Sequence, residues 1–377
     1  MIETRNEEIS MLRELAAVFS RKELAPNREY HDRFPFAPFF SDVLAKAYDA
    51  GFLTIGLSDA SQGAGRGIRE LSVILGEISQ KDSSLAGIIF SSALAQRIIL
   101  EAGSGELFSG PLPPRDIFGG SLIALPSFTS PLEEPHSVVA RKKGAGFRLS
   151  GRIAYLVLGG IASRALVPAR HEGGDGFSYF LVDTSSDGAR VSKPIIGMGL
   201  RSCPAVDMTL DDARALLVGS KAEGAAYFRR AADLMSIPIA ATAVGIMKGS
   251  FDEALTYTRE RFQGGREIIN WSEVRMILAH MALGITVAEL ATASATRLLE
   301  DGASGWEDSA RAAAIYAAES ACTVTADGVQ LLGGNGYMTD YGQEKRFRDA
   351  RQVQALLGLL PMKKLAFIGD IIEKGLS

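Results

Sequence analysis

The chain has little of what metal centres, disulfide scaffolds and nucleic-acid-binding surfaces are built from. Two cysteines and four histidines serve 377 residues. Cys203 and Cys322 lie far apart, with no Cys-x-x-Cys and no histidine cluster. That excludes a disulfide framework and leaves no residues spaced as metal ligands. Cations are not in excess either, since 40 Lys and Arg against 44 Asp and Glu leave a net charge of −4. There is thus no electrostatic case for nucleic acid or an anionic membrane as partner. The longest mostly apolar run, residues 237–247, is too short to cross a bilayer. Residues 1–6 are charged and carry no apolar stretch, which leads to the expectation of no signal peptide and a cytoplasmic location. Neither internal repeats nor a low-complexity tail are visible.

What is present is the composition of an ordinary globular protein, 47% apolar and 22% charged, with enough chain for two or three domains. Residues 1–112 read as helical. Ile9, Leu12, Leu15, Ala16 and Phe19 follow the three-and-four spacing of a buried stripe, and Leu71, Ile74, Leu75 and Ile78 repeat it. Further helices are expected over residues 40–50, 68–80 and 83–100. The glycines at 63, 65 and 67 lack the spacing and βαβ setting of a dinucleotide loop and read as a connection. Three prolines within residues 110–115 mark a boundary.

From 113 to 218 the pattern changes to short strands, expected at 121–125, 137–141, 147–150, 153–158, 164–168, 178–182 and 206–210. Many short strands with regular turns point to a small antiparallel barrel or sandwich. From 219 to 377 the helical period returns. One stripe is Val244, Met247, Phe251 and Leu255. Another is Val274, Ile277, Leu278, Met281 and Ile285. Both predict long antiparallel helices in a bundle.

Residues 330–351 stand out. The run Gln330-Leu331-Leu332-Gly333-Gly334-Asn335-Gly336 interrupts two helical patterns. Glycines here permit positive φ and leave backbone amides able to face a phosphate. Lys345, Arg346 and Arg348 follow and could add to that attraction. The alternative is a helix C-cap followed by a solvated charged turn, with Glu344 supporting Arg348 one helical turn away.

This stretch resembles the C-terminal signature of the acyl-CoA dehydrogenase family of flavoproteins, and the order helical, β, helical matches that family along most of the chain. The resemblance implies an N-terminal helical domain, a small β-barrel and a C-terminal four-helix bundle. It also implies FAD, an acyl-CoA thioester as substrate, an electron-transfer partner, and assembly as a homodimer or homotetramer. Family members remove the α-proton of the thioester with a carboxylate while a hydride leaves the β-carbon for the flavin. By matching motif, Arg261, within Arg259-Glu260-Arg261-Phe262-Gln263-Gly264, together with Gln330, Gly333 and Gly334, would hold the ADP part of FAD across a dimer. Tyr155 would cover the flavin face. Without the resemblance, Arg261 reads as a helix-end cation and Tyr155 as a strand aromatic.

Several positions depart from the family pattern. Gly264 stands where an adenine-side phenylalanine is usual. Residues 125–132 replace the family's Thr-Glu-Pro-Gly-Ala-Gly-Ser-Asp run, with Phe128 in place of a glycine. Val157 stands where a threonine bonds the flavin, and a valine side chain has no donor. The usual catalytic glutamate is Leu357, and the alternative glutamate position on the first bundle helix is Met235, followed by Ser236. Asp233 lies two residues earlier, about 200° around the helix. No catalytic residue is therefore assigned. Two alternatives remain open: an oxidoreductase with impaired or altered chemistry and FAD held weakly or shared between subunits, or a non-catalytic subunit of a hetero-oligomer or flavin-free homologue.

Overall fold

The computed structural model describes residues 2–57, 67–108, 121–133 and 136–375. The connecting loop expected at 63–67, apart from Gly67, and the proline boundary at 110–115 with the domain join at 112 lie outside them.

Three main helices open the chain: α1 (Ile2–Phe19), α2 (Ile68–Ser79) and α3 (Ser83–Glu101). In α2 the expected stripe is buried throughout, Leu71 at 2% and Ile74, Leu75 and Ile78 at 0% exposure. The stripe of α1 is narrower than expected. Ile9, Ala16 and Phe19 are buried, but Leu15 is 47% exposed. The helix packs chiefly on α2, so only part of an apolar arc can reach the core. The helix expected at 40–50 is three short pieces, Ala37–Phe39, Phe40–Leu44 and Ala45–Asp49. Helix α3 starts at Asp82, whose carboxylate accepts the Ser84 N–H at 2.7 Å, an ordinary N-cap. It is buried on nearly every side.

The middle region is a closed barrel of β1 (Ile123–Ala124), β2 (Val139–Lys143), β3 (Gly146–Val157), β4 (Arg164–His171), β5 (Phe177–Asp183), β6 (Ala189–Val191) and β7 (Ala205–Val218). Strands run β4–β2–β3–β7–β5, and β5 returns to β4 to close the ring. Two expectations are corrected. The pairs β1–β4 and β2–β4 are parallel, so the barrel is mixed rather than antiparallel. The two strands expected at 147–150 and 153–158 are one strand, β3, broken by register shifts at Leu149/Gly151 and Ile153/Leu156. Gly151 sits at φ +139, where a Cβ would strike the Ser137 carbonyl. An alternation broken by a bulge looks like two strands in sequence. Strand β6 escaped notice because it is three largely exposed residues.

The bundle consists of α4 (Gly224–Glu260), α5 (Ser272–Glu300), α6 (Trp306–Leu332) and α7 (Gln343–Val353), followed by α8 (Leu360–Lys374). Both expected stripes are in place, with Val244, Met247, Leu278, Met281 and Ile285 buried. Helix α4 also packs on α2, so closely that a Cβ on Gly245 would strike the Gly76 carbonyl. The expectation that no segment is long and apolar enough to cross a membrane needs correcting. By length and mean hydropathy α3, α4 and α5 all qualify, with 89%, 89% and 22% of the relevant window buried inside the fold. The apolar run judged from sequence is short because Ser236 and Lys248 bound it without ending the helix, which runs from Gly224 to Glu260. On α5 the outward face carries Met276, Leu283, Val287 and Leu290, all exposed.

Candidate functional site

The C-terminal ends of α4 and α6 meet, and four of the five expected cofactor residues meet with them. Arg261, Gln330, Gly333 and Gly334 line one cleft of about 370 Å³ together with Tyr257 and Asn335. Gly333 ends α6 at φ +58, which only glycine adopts without strain. Asn335 Nδ2 donates to the Tyr257 hydroxyl at 3.1 Å and closes one wall. Arg261 and Gln330 are exposed, and their side chains have no hydrogen-bond or ion-pair partner among the described residues. A free guanidinium beside glycine backbone suits a diphosphate. Gly264, at φ +67, faces Trp271, whose Cζ2 would lie 3.0 Å from a Cβ there. Arg266 stacks on that indole at 3.8 Å. An aromatic ring is thus present beside Gly264, supplied from seven residues further on, which sequence matching missed.

The cations that follow are not available to this cleft. Lys345 Nζ lies 2.6 Å from Asp349 and 3.1 Å from Asp82, at 3% residue exposure. Arg346 pairs with Glu253 and donates to the Gln80 carbonyl. Arg348 binds Glu344 at 2.5 Å and Asp32 at 2.7 Å. The pair Glu344–Arg348 is as expected. The notion that these cations draw a phosphate is corrected, because each is consumed holding α7 to the rest of the fold.

Helix α7 ends at Val353, and Leu357 lies in the turn between it and α8. It is 6% exposed, at φ +64. Its N–H donates to the Ser127 carbonyl at 2.9 Å, and the Ser127 hydroxyl meets that of Ser91 at 2.7 Å, both buried. A Cβ on Gly358 would lie 2.9 Å from both Ser130 Cβ and Glu133 Oε1. Residues 127–133, most of them within the run 125–132 that replaces the family's flavin-and-thioester motif, therefore fold directly onto the turn where the base would stand.

Below the turn, Lys363 Nζ donates to the carbonyls of Gln354 and Leu356 at 2.9 and 2.8 Å. Burial pushes its pKa down from 10.5 to about 8, against the pull of Glu133. Between those two pH values the unfolded chain binds a proton that the folded chain does not, so this group makes stability rise with pH there. Lys363→Met is expected to flatten the stability curve between pH 8 and 10.5. Urea unfolding across that range checks this, and an unchanged slope refutes it.

The alternative base position gives no better result. Met235 is 1% exposed and lines a gap of only about 10 Å³ with Ile68, Leu71 and Gln96. Asp233 is turned away, its Oδ1 2.7 Å from Arg311 Nε.

Tyr155 does not join the α4–α6 cleft. It stands at the mouth of the barrel, 52% exposed, on the rim of a pocket of about 520 Å³. Leu125, Pro126, Ser130, His136 and Tyr179 also line that pocket. The backbone of Val157 is bonded in both directions to Leu125, at 3.1 Å each way, so neither its side chain nor its amide can serve a flavin. The residues present therefore fit the ADP half of FAD. On the ring side the family's donors are gone, and any hold on the ring must come from other groups.

Comparison with known proteins agrees with this architecture. Residues 6–114 match the acyl-CoA dehydrogenase N-terminal domain and residues 222–360 the acyl-CoA dehydrogenase C-terminal domain. The chain is 28% identical to a 3-(aryl)acrylate reductase of Clostridium sporogenes, over 97% of this chain and 99% of that protein. It is 27% identical to a subunit of the caffeyl-CoA reductase–Etf complex of Acetobacterium woodii, over 98% and 99%. Butyryl-CoA dehydrogenase from Megasphaera elsdenii has the same fold, with a TM-score of 0.84 at 19% identity over 97% of this chain and 98% of that one. The chain belongs to the acyl-CoA dehydrogenase family of flavoproteins.

Proposed function

We propose that the protein is a cytoplasmic FAD-dependent oxidoreductase of the CH–CH bond of acyl-CoA thioesters, assembled as a homodimer or homotetramer, in which the usual dehydrogenation is impaired. The observation that carries this reading is the convergence of Arg261, Gln330, Gly333 and Gly334 on one cleft. FAD, when bound, would accept the hydride leaving the β-carbon. Arg261 and Gln330 would hold its diphosphate and adenosine, and the glycines would let the backbone approach. The impairment follows from lone pairs. Leu357 and Met235 have none to offer the α-proton, and loss of a general base typically costs on the order of 10²–10⁴ in rate. An electron-transfer partner fits the reading, since one relative is named as part of an Etf complex.

A second reading, a non-catalytic subunit or flavin-free homologue, is favoured by a specific contact. The Leu357 amide is already spent on Ser127, and residues 127–133 occupy the approach to the turn. An absorbance spectrum of the purified protein separates the two, with the released cofactor identified. Bound FAD supports the first reading. Its absence from the chain made alone, with appearance only beside a second chain, supports the second. Within the first reading, Arg261→Ala removes a charge-assisted contact of about 1.5–3 kcal/mol. It is expected to weaken FAD by roughly 10–100-fold, read by equilibrium dialysis of the apoprotein. Unchanged affinity would remove Arg261 from the site.

A further inference from the structure

A third cavity lies away from both sites described above. Helices α2 and α5 each pack on α4, and the space between them is a groove of about 490 Å³. None of its lining residues belongs to the α4–α6 cleft or to the barrel-mouth pocket. Helix α2 lines it from Arg69 to Gln80, α4 from Ala241 to Lys248 and α5 from Glu289 to Glu300. Each gives one face at the three-and-four spacing of a helix. At the rise of an α-helix that span makes the groove about 16 Å long. Its floor is made of short side chains. Gly76 and Gly245 meet there so closely that a Cβ on Gly245 would strike the Gly76 carbonyl. Ala241 and Ala293 stand beside them, and Val73 and Val244 add apolar surface.

The two ends of the groove differ in charge. At one end Arg13 pairs with Glu77 at 3.6 Å and Lys248 with Glu289 at 2.8 Å, so the charges cancel. Gln80 Nε2 also donates to Glu77, at 2.7 Å. At the other end Arg69 pairs with Glu300 at 3.5 Å, and Arg297 is left over. It is exposed, and its guanidinium has no hydrogen bond or ion pair among the described residues. The walls make no claim on it. The hydroxyls of Ser72, Thr292 and Thr296 donate instead to carbonyls of their own helices, those of Ile68, Ala288 and Thr292. The groove is thus apolar along its floor, neutral at one end and singly positive at the other.

We propose that this groove is a binding site for an extended apolar molecule with one anionic head, a carboxylate or a phosphate. The head pairs with Arg297, whose planar guanidinium matches either group with two parallel N–H donors. The body lies along the floor of Gly76, Gly245 and Ala293. The opposite polarity does not fit, since Glu77, Glu289 and Glu300 each already face a cation. The volume is that of a small-molecule site. An occupant touches α2 as well as α4 and α5, so it ties the N-terminal helices to the bundle and stabilises the fold by mass action. This site goes beyond the function proposed above and does not depend on it.

The test uses the full chain with octanoate and octyl phosphate as probes. Octanol and octylamine are the uncharged and oppositely charged controls. Binding is read by calorimetry and by the rise in thermal midpoint. An anionic probe is expected to bind the parent more tightly than either control, and the preferred one of the two assigns the head group. Arg297→Gln removes the charge from an exposed side chain, and Ala293→Leu fills the floor from an exposed position on α5. Both are expected to keep the parent midpoint without ligand. Arg297→Gln is expected to weaken the anionic probe about 3–10-fold, the worth of one charge-assisted contact partly screened by solvent, and to leave octanol unchanged. Ala293→Leu is expected to weaken the anionic probe and octanol alike. The proposal is overturned if neither anionic probe binds, if octylamine binds as tightly, or if either variant binds the anionic probe undiminished. FAD content and its response to Arg261→Ala are read on separate samples. If those behave as expected while the groove binds nothing, this site is removed and the proposed function stands.

Discussion

Lys345→Met is expected to destabilise the fold by about 3–5 kcal/mol, the usual cost of removing one partner from a buried ion pair. The ammonium lies 2.6 Å from Asp349, 3.1 Å from Asp82 and 3.9 Å from Asp32. Burial alone would pull its pKa down, but the three carboxylates outweigh that and hold it above the usual lysine value. Methionine is close in shape and uncharged, so it would leave Asp82 and Asp349 buried against each other. Asp82 is also the N-cap of α3, and Asp349 Oδ1 accepts the Leu200 N–H at 2.7 Å. The network thus ties α3, α7 and the segment before β7 together.

Urea unfolding measures the loss. Adding Asp349→Asn, which keeps the acceptor for Leu200 and removes a charge, is expected to restore part of it. A loss below about 1 kcal/mol, or no recovery in the double variant, would mean that these charges are not coupled. Lowered nucleotide affinity with full stability would return Lys345 to the phosphate role that its sequence neighbours suggested.

That suggestion failed for a reason that generalises. Helical stripes such as Leu71 to Ile78 are legible because every contact they predict depends on spacing within one element. Beyond Glu344, the partner of Arg348 is Asp32, 316 residues away, and no local pattern announces it. The α4–α6 cleft was legible despite its distance because two glycine-rich turns carried a family motif at each end. The ring side was legible only as loss. Sequence could say that Val157 lacks a donor, but not that the 127–133 loop closes on Leu357. Nor could it say that Tyr179 and His136 line one pocket at the barrel mouth. Trp271 beside Gly264 belongs with these, since an aromatic seven residues further on defeats matching by position.

The same closure decides what Leu357→Glu would do. If the missing lone pair were the sole defect, restoring it would return the 10²–10⁴-fold that a general base contributes. The expected gain in α,β-dehydrogenation is instead less than about tenfold, because a base needs a held substrate as well as a suitable pKa. The turn's own amide is bonded to Ser127, Val157 is locked to Leu125, and Phe128 packs against the core where the family has glycine. The substitution would also trade a leucine at 6% exposure for a carboxyl in the same space. The expected stability loss is roughly 2–4 kcal/mol, from lost apolar burial and the desolvated acid. Anaerobic mixing with an acyl-CoA, followed by assay for the enoyl product, reads the first effect, and urea unfolding reads the second. Brisk turnover from this one change would show that loop and turn part readily when substrate arrives, and that chemistry in this chain was lost at a single side chain.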